Sequence, residues 1–305
     1  MKIAYMIEAH TDVKQLIRLC KALVLSGDVF IHVDKKTKDA TFWDCLNAYK
    51  KTNSKVKITS QRHFVAWGGY SQVKCFQSLL KAVLDSPERY QRLILLSGLD
   101  YPVYSPQKIQ DFLEQERDKE FVCGYNVTTC PYEIHLRKVK YYHFFRDVPL
   151  PHNSFLRRAL IGGSMLLLKQ LGFRRKPYLL VDGKQWDIYF GSQWIGLTRG
   201  CAEYVMKQLQ TNKPLVRLFK SSYAPDELCV PTIVMNSPFA DKAIRVNELD
   251  FAGATPLHYL NYEECILSYD EKAFTAIVSS GKMFVRKIIS GKSEKLIEMI
   301  KETWK

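Results

Sequence analysis

Two adjacent carboxylates, Asp226 and Glu227, follow Pro225 and could support acid–base chemistry. A carboxylate that takes a proton from an attacking hydroxyl group acts as a general base. Proline and acidic residues are also common in the first turn of any helix, because the helix dipole stabilises negative charge there. One member of the pair can occupy a helix start while the other stays available. We therefore assign Asp226 to the helix start and Glu227 to the base.

Three cations, Lys282, Arg286 and Lys287, lie close together near the end of the chain. Lysine and arginine can neutralise a departing diphosphate without a metal ion. The sequence contains no Asp-x-Asp metal motif, so a nucleotide-binding enzyme with this sequence must take its phosphate-neutralising charge from elsewhere. The cluster is a candidate for that charge. A basic surface turn would have the same composition.

Three further candidates follow predicted strands or a glycine turn. Asp34 ends an apolar run, Trp67 precedes a pair of glycines, and Asp100 follows the most apolar run of the chain. Ligands of parallel sheets bind outside the carboxyl ends of the strands, and an indole face suits a base or a sugar. Each residue also has a structural interpretation: a charged strand terminus, a core tryptophan in a tight turn, and a proline-fixed turn.

The first third of the chain alternates strand and helix patterns. Short apolar runs predict strands, and a helix with one apolar face is predicted over Ser71 to Leu84. Such alternation indicates an α/β protein with a mostly parallel central sheet flanked by helices. The predicted strands are Lys2 to Glu8, Val29 to Val33, Val56 to Thr59 and Arg92 to Leu96.

The length of 305 residues fits one large α/β domain, which we expect to span residues 1–305. We expect a nucleotide-binding half at about 1–125 and an acceptor and catalytic half at about 126–305. Within the second half, residues 131–184 are basic, aromatic and less periodic. This basic excursion suits acceptor or membrane binding better than a separate domain.

The formal net charge of +14 predicts anionic partners. The segment from Phe155 to Lys176 mixes bulky apolar and basic residues, which is typical of a helix lying on an anionic membrane. A partly buried helix with a basic, solvated face explains the pattern equally well. No helix-turn-helix, RNA-recognition or zinc pattern is present, so nucleic acid is not an expected partner.

The eight cysteines are scattered without a Cys-x-x-Cys pair. This usage favours small core residues in a reducing cytoplasm over a zinc site or a disulfide framework. We find no secretion signal and no apolar run of the ~20 residues that a bilayer span needs. The expected location is the cytoplasm, with peripheral contact at the inner face of the cell membrane.

Six blocks in a fixed order resemble glycosyltransferase family 14, which comprises the core-2/I-branching β-1,6-N-acetylglucosaminyltransferases and the protein xylosyltransferases. Together they span nearly the whole chain, and their order is more specific than any one of them. The blocks are Ile31–Asp34, His63–Ser71, Leu96–Pro102, Gly191–Trp194, Ala224–Glu227 and Phe284–Lys287.

The resemblance implies a variant GT-A fold that transfers a sugar from a UDP-sugar with inversion and without a divalent metal or other cofactor. Carried over by position, Glu227 is the general base, and Lys287 meets the diphosphate, with Arg286 beside it. N-acetylglucosamine is the first expected sugar and xylose the second. We expect the acceptor to be a hydroxyl group of a glycan or lipid-linked glycan. The basic and apolar segment from Phe155 to Lys176 favours an intermediate of surface-polysaccharide synthesis.

The resemblance also implies the residues that bind the rest of the donor. Asp34 and Trp67 are expected to contact the uridine. Asp100, Trp194 and Asp226 are expected at the sugar site.

The chain departs from this family in two places. The branching enzymes have a second phosphate-binding arginine about two dozen residues before the lysine, where this chain reads Leu260–Glu264. We expect Arg286, Lys282 or Arg245 to replace it. The chain also lacks the membrane anchor and stem at its start, which resembles a bacterial, cytoplasm-facing member.

Three other functions are compatible with part of the sequence. A metal-dependent GT-A transferase with another donor would need a metal motif. A basic nucleic-acid-binding protein would explain the charge. An inactive sugar-binding module would use Trp67 and Trp194 and would not need Glu227.

Overall fold

The computed structural model describes residues 1–130, 132–151, 153–244, 255–261 and 266–304. The strands of this part of the chain are β1 (Ile3–Ala9), β2 (Gly27–Val33), β3 (Val56–Ile58), β4 (Arg92–Ser97), β5 (Asp100–Pro102), β6 (Glu120–Cys123), β7 (Tyr125–Asn126), β8 (Tyr178–Val181), β9 (Lys184–Asp187), β10 (Tyr189–Phe190), β11 (Gly196–Thr198), β12 (Ala243–Ile244), β13 (His258–Tyr259) and β14 (Phe284–Arg286).

The helices alternate with these strands. They are α1 (Val13–Leu23), α2 (Ala40–Lys51), α3 (Ser71–Leu84), α4 (Pro106–Gln115), α5 (Glu133–Lys140), α6 (Phe155–Gln170), α7 (Arg199–Thr211), α8 (Lys213–Lys220), α9 (Cys229–Met235), α10 (Phe274–Ser279) and α11 (Glu294–Glu302). Short 3₁₀ helices occupy Pro225–Glu227, Ala240–Lys242 and Glu271–Ala273.

A seven-stranded sheet with the order β12-β6-β11-β4-β1-β2-β3 forms the centre of the protein. Strands β3, β2, β1 and β4 run parallel, and β11 is antiparallel to both of its neighbours. The fold is therefore a mixed α/β, GT-A-like glycosyltransferase fold, and the predicted fold class is confirmed. A smaller sheet with the order β13-β14-β5 lies beside it.

The middle residues of β4 are apolar because both faces of the sheet are covered. All six residues of β4 are buried. Leu93 and Leu95 pack into one hydrophobic cluster, and Ile94 and Leu96 pack into another. Alternate side chains of a strand point to opposite faces, so a strand between two cores has no polar face.

The predicted helix over Ser71 to Leu84 is confirmed with both of its bounds. The helix expected to run on from Pro225 is divided instead. A 3₁₀ turn at Pro225–Glu227 precedes the separate helix α9. The division falls at Leu228, whose φ of −113° departs from the helical value.

The two halves expected to meet near residue 125 share the central sheet. Strands β11 and β12 from the second half complete a sheet whose other five strands come from the first. Residues 131–184 contain α5, α6 and β8 within their described parts, and they supply no strand to that sheet. The boundary between the halves stays a prediction.

Candidate active site

The carboxyl ends of β1, β2 and β4 open onto a cavity of about 560 Å³. Parallel register places Glu8 of β1 beside His32 of β2 and Ser97 of β4, so these strand ends reach the same level. Seven of the eight residues predicted for the site line this cavity: Asp34, Trp67, Trp194, Asp226, Glu227, Arg286 and Lys287. The strand-end rule therefore predicted the place of this cavity, and the roles of the residues stay predictions.

Asp34 and Trp67 form one wall of the cavity. The Asp34 carboxylate accepts a hydrogen bond of 2.8 Å from the backbone N–H of Lys36 and lies 3.3 Å from the Lys36 Nζ. The Trp67 side chain is 62% exposed, with one edge against Tyr223. An acceptor group beside an open indole face can hold a planar, hydrogen-bonding ligand such as a nucleobase.

Arg286 also lines the cavity and is held from two sides. The guanidinium donates a 3.0 Å hydrogen bond to Oδ1 of Asp100, and its carbon lies 4.4 Å from the centroid of the Trp194 ring. Strands β14 and β5 pair antiparallel with Arg286 opposite Asp100, so the sheet register itself creates the ion pair. Lys287 follows directly and also lines the cavity.

Asp100 lies beneath the cavity and does not line it. Its side chain is completely buried and accepts hydrogen bonds from His258 Nε2 and from the Ser97 backbone N–H, in addition to Arg286. Burial acts to raise the pKa of Asp100, but the Arg286 charge and these hydrogen bonds outweigh it and hold the pKa below its usual value. Asp100 is thus an anion that positions Arg286, and in this structure it has no exposed atom for the predicted contact with a sugar.

Two of the three replacements expected for the second phosphate-binding arginine lie in the described part of the chain. Arg286 lines the cavity. Lys282 donates from Nζ to the Thr255 carbonyl oxygen instead, and it is not among the lining residues. Arg245 lies outside the described residues. The geometry therefore favours Arg286 as the cation that acts beside Lys287.

Glu227 closes the end of the cavity at the 3₁₀ turn. Its carboxylate forms an ion pair with Lys138 of α5, and its side chain remains 26% exposed. Lys138 is held in turn by the ring of Phe190, whose centroid lies 4.3 Å from Nζ. The backbone carbonyl of Glu227 accepts a 2.8 Å hydrogen bond from the N–H of Gly191. Glu227 is therefore both oriented and open to the cavity, as a general base must be.

Asp226 does not serve the helix start, which corrects the role that we assigned to it. No side chain caps the 3₁₀ turn, and the Asp226 Oδ2 accepts a 3.0 Å hydrogen bond from Gln72 of α3. Burial, and then the adjacent charge of Glu227, raise the pKa of Asp226 well above its ordinary value. The environment therefore favours the protonated form of Asp226 more than that of an ordinary aspartate, whereas Glu227 has a cation beside it. Its predicted contact with a sugar stays a prediction.

The sequence analysis missed two charged residues of the site. Glu8 lines the cavity from the end of β1, and burial raises its pKa to about 7. Its place at a strand end was a signal that could have identified it. Lys138 lies 89 residues from Glu227 in the chain. Nothing in the local sequence points to their contact.

Comparison with known proteins agrees with the glycosyltransferase fold. A family model described as Core-2/I-Branching enzyme matches residues 3–261. The chain therefore belongs to the Core-2/I-branching enzyme family. No helix in the described part of the chain is both long and apolar enough to cross a bilayer.

The curated relatives include several xylosyltransferases. Xylosyltransferase 2 of Rattus norvegicus is 28% identical over 255 residues, which cover 81% of this chain and 26% of that protein. Xylosyltransferase 2 of Homo sapiens is 28% identical over 245 residues, covering 78% of this chain and 25% of the relative. Xylosyltransferase oxt of Drosophila pseudoobscura pseudoobscura is 25% identical over 247 residues, which cover 78% of this chain and 24% of that protein. The chain thus spans about a quarter of the length of these relatives.

Gly191 provides a test of how the backbone positions Glu227. A Cβ at this residue would overlap the carbonyl oxygen of Cys123, so Gly191→Ala must displace the segment whose N–H holds the Glu227 carbonyl. We expect a loss of about 1–3 kcal/mol in the free energy of unfolding, measured by urea denaturation. The control is Gly163→Ala in α6, where a Cβ meets no atom within 4 Å and should not destabilise the protein. Equal stability of the two variants would contradict this account.

Proposed function

We propose that the protein is an inverting glycosyltransferase that moves a sugar from a UDP-sugar to a hydroxyl group of a glycan acceptor, without a divalent metal. One observation carries the proposal. The cavity is lined by two cations, Lys287 and the paired Arg286, and by a partly exposed carboxylate, Glu227. Sugar transfer with inversion needs these two charges, because a diphosphate leaves on one face of the anomeric carbon while a hydroxyl attacks on the other.

The proposed reaction is a single in-line displacement. Glu227 takes the proton of the acceptor hydroxyl as its oxygen forms a bond to the anomeric carbon. The bond between that carbon and the diphosphate oxygen breaks, and the electron pair leaves with UDP. Arg286 and Lys287 stabilise the negative charge that develops on the diphosphate. The ion pair with Lys138 holds the Glu227 carboxylate in place.

The two cations also support independence from metal. They provide at the diphosphate the positive charge that a divalent ion provides in other transferases. Within the described ranges of the chain, no three His, Cys, Asp or Glu residues come together as a metal-binding group. The alternative is a metal-dependent transferase of the same fold, and the effect of EDTA on the reaction rate distinguishes the two.

The donor sugar and the acceptor are drawn from the family and its relatives. Xylose is supported by the relatives that are named xylosyltransferases. N-acetylglucosamine is supported by the resemblance to the branching enzymes. We propose N-acetylglucosamine first and xylose second, with a surface polysaccharide or its lipid-linked precursor as the acceptor.

A screen of UDP-sugars tests the proposed function directly. We expect the protein to bind UDP and to hydrolyse or transfer from UDP-N-acetylglucosamine or UDP-xylose, measured by UDP release. Addition of EDTA should change the rate less than twofold, because no step requires a metal. A strict requirement for Mg²⁺ or Mn²⁺ would show that the metal-dependent alternative is correct. Failure to bind UDP and every UDP-sugar would reject the transferase itself.

Replacement of the base tests its role. Glu227→Gln keeps the shape of the side chain but cannot accept the proton, so we expect transfer to fall by ~10²-fold or more with UDP affinity unchanged. Glu298→Gln in α11 replaces an exposed glutamate outside the cavity and should retain full activity. If the turnover of Glu227→Gln lies within a few-fold of that of the unaltered protein, a group other than Glu227 acts as the base.

We also propose that α6 holds the protein on an anionic membrane, at the inner face of the cell membrane. Of the helix residues, Arg157 is the one whose side chain is buried. Large apolar side chains of this segment are exposed, and so are Arg158, Lys169, Arg174 and Lys176. Apolar groups that enter the lipid boundary and cations that meet lipid phosphates suit such a surface.

A reducing location is supported by the cysteines, because none of the seven in the described part of the chain forms a disulfide.

Vesicle binding tests this surface. We expect the protein to cosediment with vesicles of phosphatidylcholine and phosphatidylserine, to bind weakly to phosphatidylcholine alone, and to dissociate as salt rises. The double variant Leu166→Glu, Leu167→Glu should bind about tenfold or more weakly, because charge replaces two side chains that are more than half exposed. Leu25→Glu, at an exposed leucine after α1, should bind like the unaltered protein. Equal binding of both variants would exclude α6 as the membrane surface.

A further inference from the structure

Glu8 is the charged cavity residue that the proposed reaction does not use. It precedes the last residue of β1, beside the ends of β2 and β4. The Glu8 Oε2 accepts a hydrogen bond of 3.4 Å from Gln193 Nε2. The thiol of Cys75 lies within hydrogen-bond reach of the same carboxyl group. A carboxyl group that is largely withdrawn from water, without a cation in direct contact, lowers stability unless a ligand or function compensates for it.

Contacts connect Glu8 to both charged groups of the proposed mechanism. Glu8 pairs in the sheet with Ser97, whose N–H donates to Asp100, the partner of Arg286. Through Gln193 and Gln72, Glu8 is connected to Asp226, the neighbour of the base. In an in-line displacement the sugar ring must lie between the leaving diphosphate and the base. Glu8 therefore lies along the wall that the sugar of the donor would face.

A row of polar side chains extends along this wall. Gln193 Oε1 accepts a hydrogen bond of 3.5 Å from Gln72 Nε2, which also donates to Asp226 Oδ2 at 3.0 Å. Gln72 is itself held by the N–H of Gly68, which donates to its Oε1 at 2.7 Å. The row of Glu8, Gln193, Gln72 and Asp226 is thus fixed by its own hydrogen bonds. It presents fixed polar groups, which suit hydroxyl groups rather than an apolar ligand.

We propose that Glu8 determines the donor specificity of this site, by accepting hydrogen bonds from hydroxyl groups of the donor sugar and by excluding donors whose sugar carries a carboxylate. The proposal rests on the proposed transferase function. Hydrogen bonds to a carboxylate are stronger than those between neutral groups. A second carboxylate in the same small cavity would face Glu8 and Glu227 together, and like charges at close range are unfavourable.

Glu8 is not the partner of the cation proposed to bind the diphosphate. The Arg286 guanidinium forms its ion pair with Asp100 and stacks on Trp194. A carboxylate in contact with the diphosphate would also oppose Arg286 and Lys287. Glu8 therefore contributes to the sugar part of donor affinity and contributes little to the UDP part. A change at Glu8 that acts on donor specificity should therefore alter the affinity for UDP-sugars but not for UDP. A change that disturbs the fold should weaken both.

The test compares the binding of UDP and of UDP-sugars by titration calorimetry in Glu8→Gln. The amide has the same shape but no charge. We expect its UDP affinity and melting temperature to match those of the unaltered protein, and its affinity for the preferred UDP-sugar to fall about tenfold or more. Binding of UDP-glucuronic acid should strengthen, because one of the opposing charges is gone. Gln193→Leu, which removes the hydrogen bond to Glu8, should weaken UDP-sugar binding without strengthening that of UDP-glucuronic acid.

The control is Glu298→Gln, which should bind every ligand like the unaltered protein. The inference is overturned if Glu8→Gln weakens UDP and UDP-sugar equally, or if its affinity for UDP-sugars is unchanged. The proposed function fails differently: the unaltered protein would then bind neither UDP nor any UDP-sugar.

Discussion

The buried ion pair between Asp100 and Arg286 sets the position of the cation on which the proposed chemistry depends. Asp100 follows the end of β4 in the central sheet, whereas Arg286 belongs to β14 near the end of the chain. An unpaired charge at this depth would be costly, and breaking such a pair costs about 3–5 kcal/mol. The last part of the chain is thereby anchored to the end of the central sheet. Trp194 completes the arrangement by covering the free face of the guanidinium.

Charges of both signs line the cavity. Arg286 and Lys287 are its cations near the end of the chain, and Glu8, Asp226 and Glu227 are its acidic groups next to the proposed chemistry. Neighbouring carboxylates raise the free energy of one another when they are ionised. Burial and the adjacent Glu227 charge raise the pKa of Asp226, whereas Glu227 is paired with Lys138. The adjacent carboxylates thus have separate roles that follow from their environments.

Lys138 links the candidate base to the basic excursion. It belongs to α5, which precedes the exposed helix α6 within residues 131–184. Arg175 ties the end of the excursion to α8 and the residue after it, donating to the Leu218 and Ser221 carbonyl oxygens at 2.8 Å each. The excursion is therefore fastened near the base and remains exposed along α6. That arrangement suits a surface that presents an acceptor to Glu227.

Local sequence patterns predicted the elements of this protein and the edge of the sheet where the cavity lies. The apolar runs of β1, β2 and β4, the amphipathic helix α3 and the residues that follow each strand depend on short-range periodicity, which can be read without a fold. Tertiary structure alone decided which distant groups meet. Arg286 contacts Asp100 across 186 residues of sequence, and Lys138 contacts Glu227 across 89. The charge of Arg286 and the nearby hydrogen bonds keep Asp100 ionised in spite of its burial, and burial raises the pKa of Asp226 beside the base. Desolvation and nearby charge are properties of the packed site, so the local sequence does not show them.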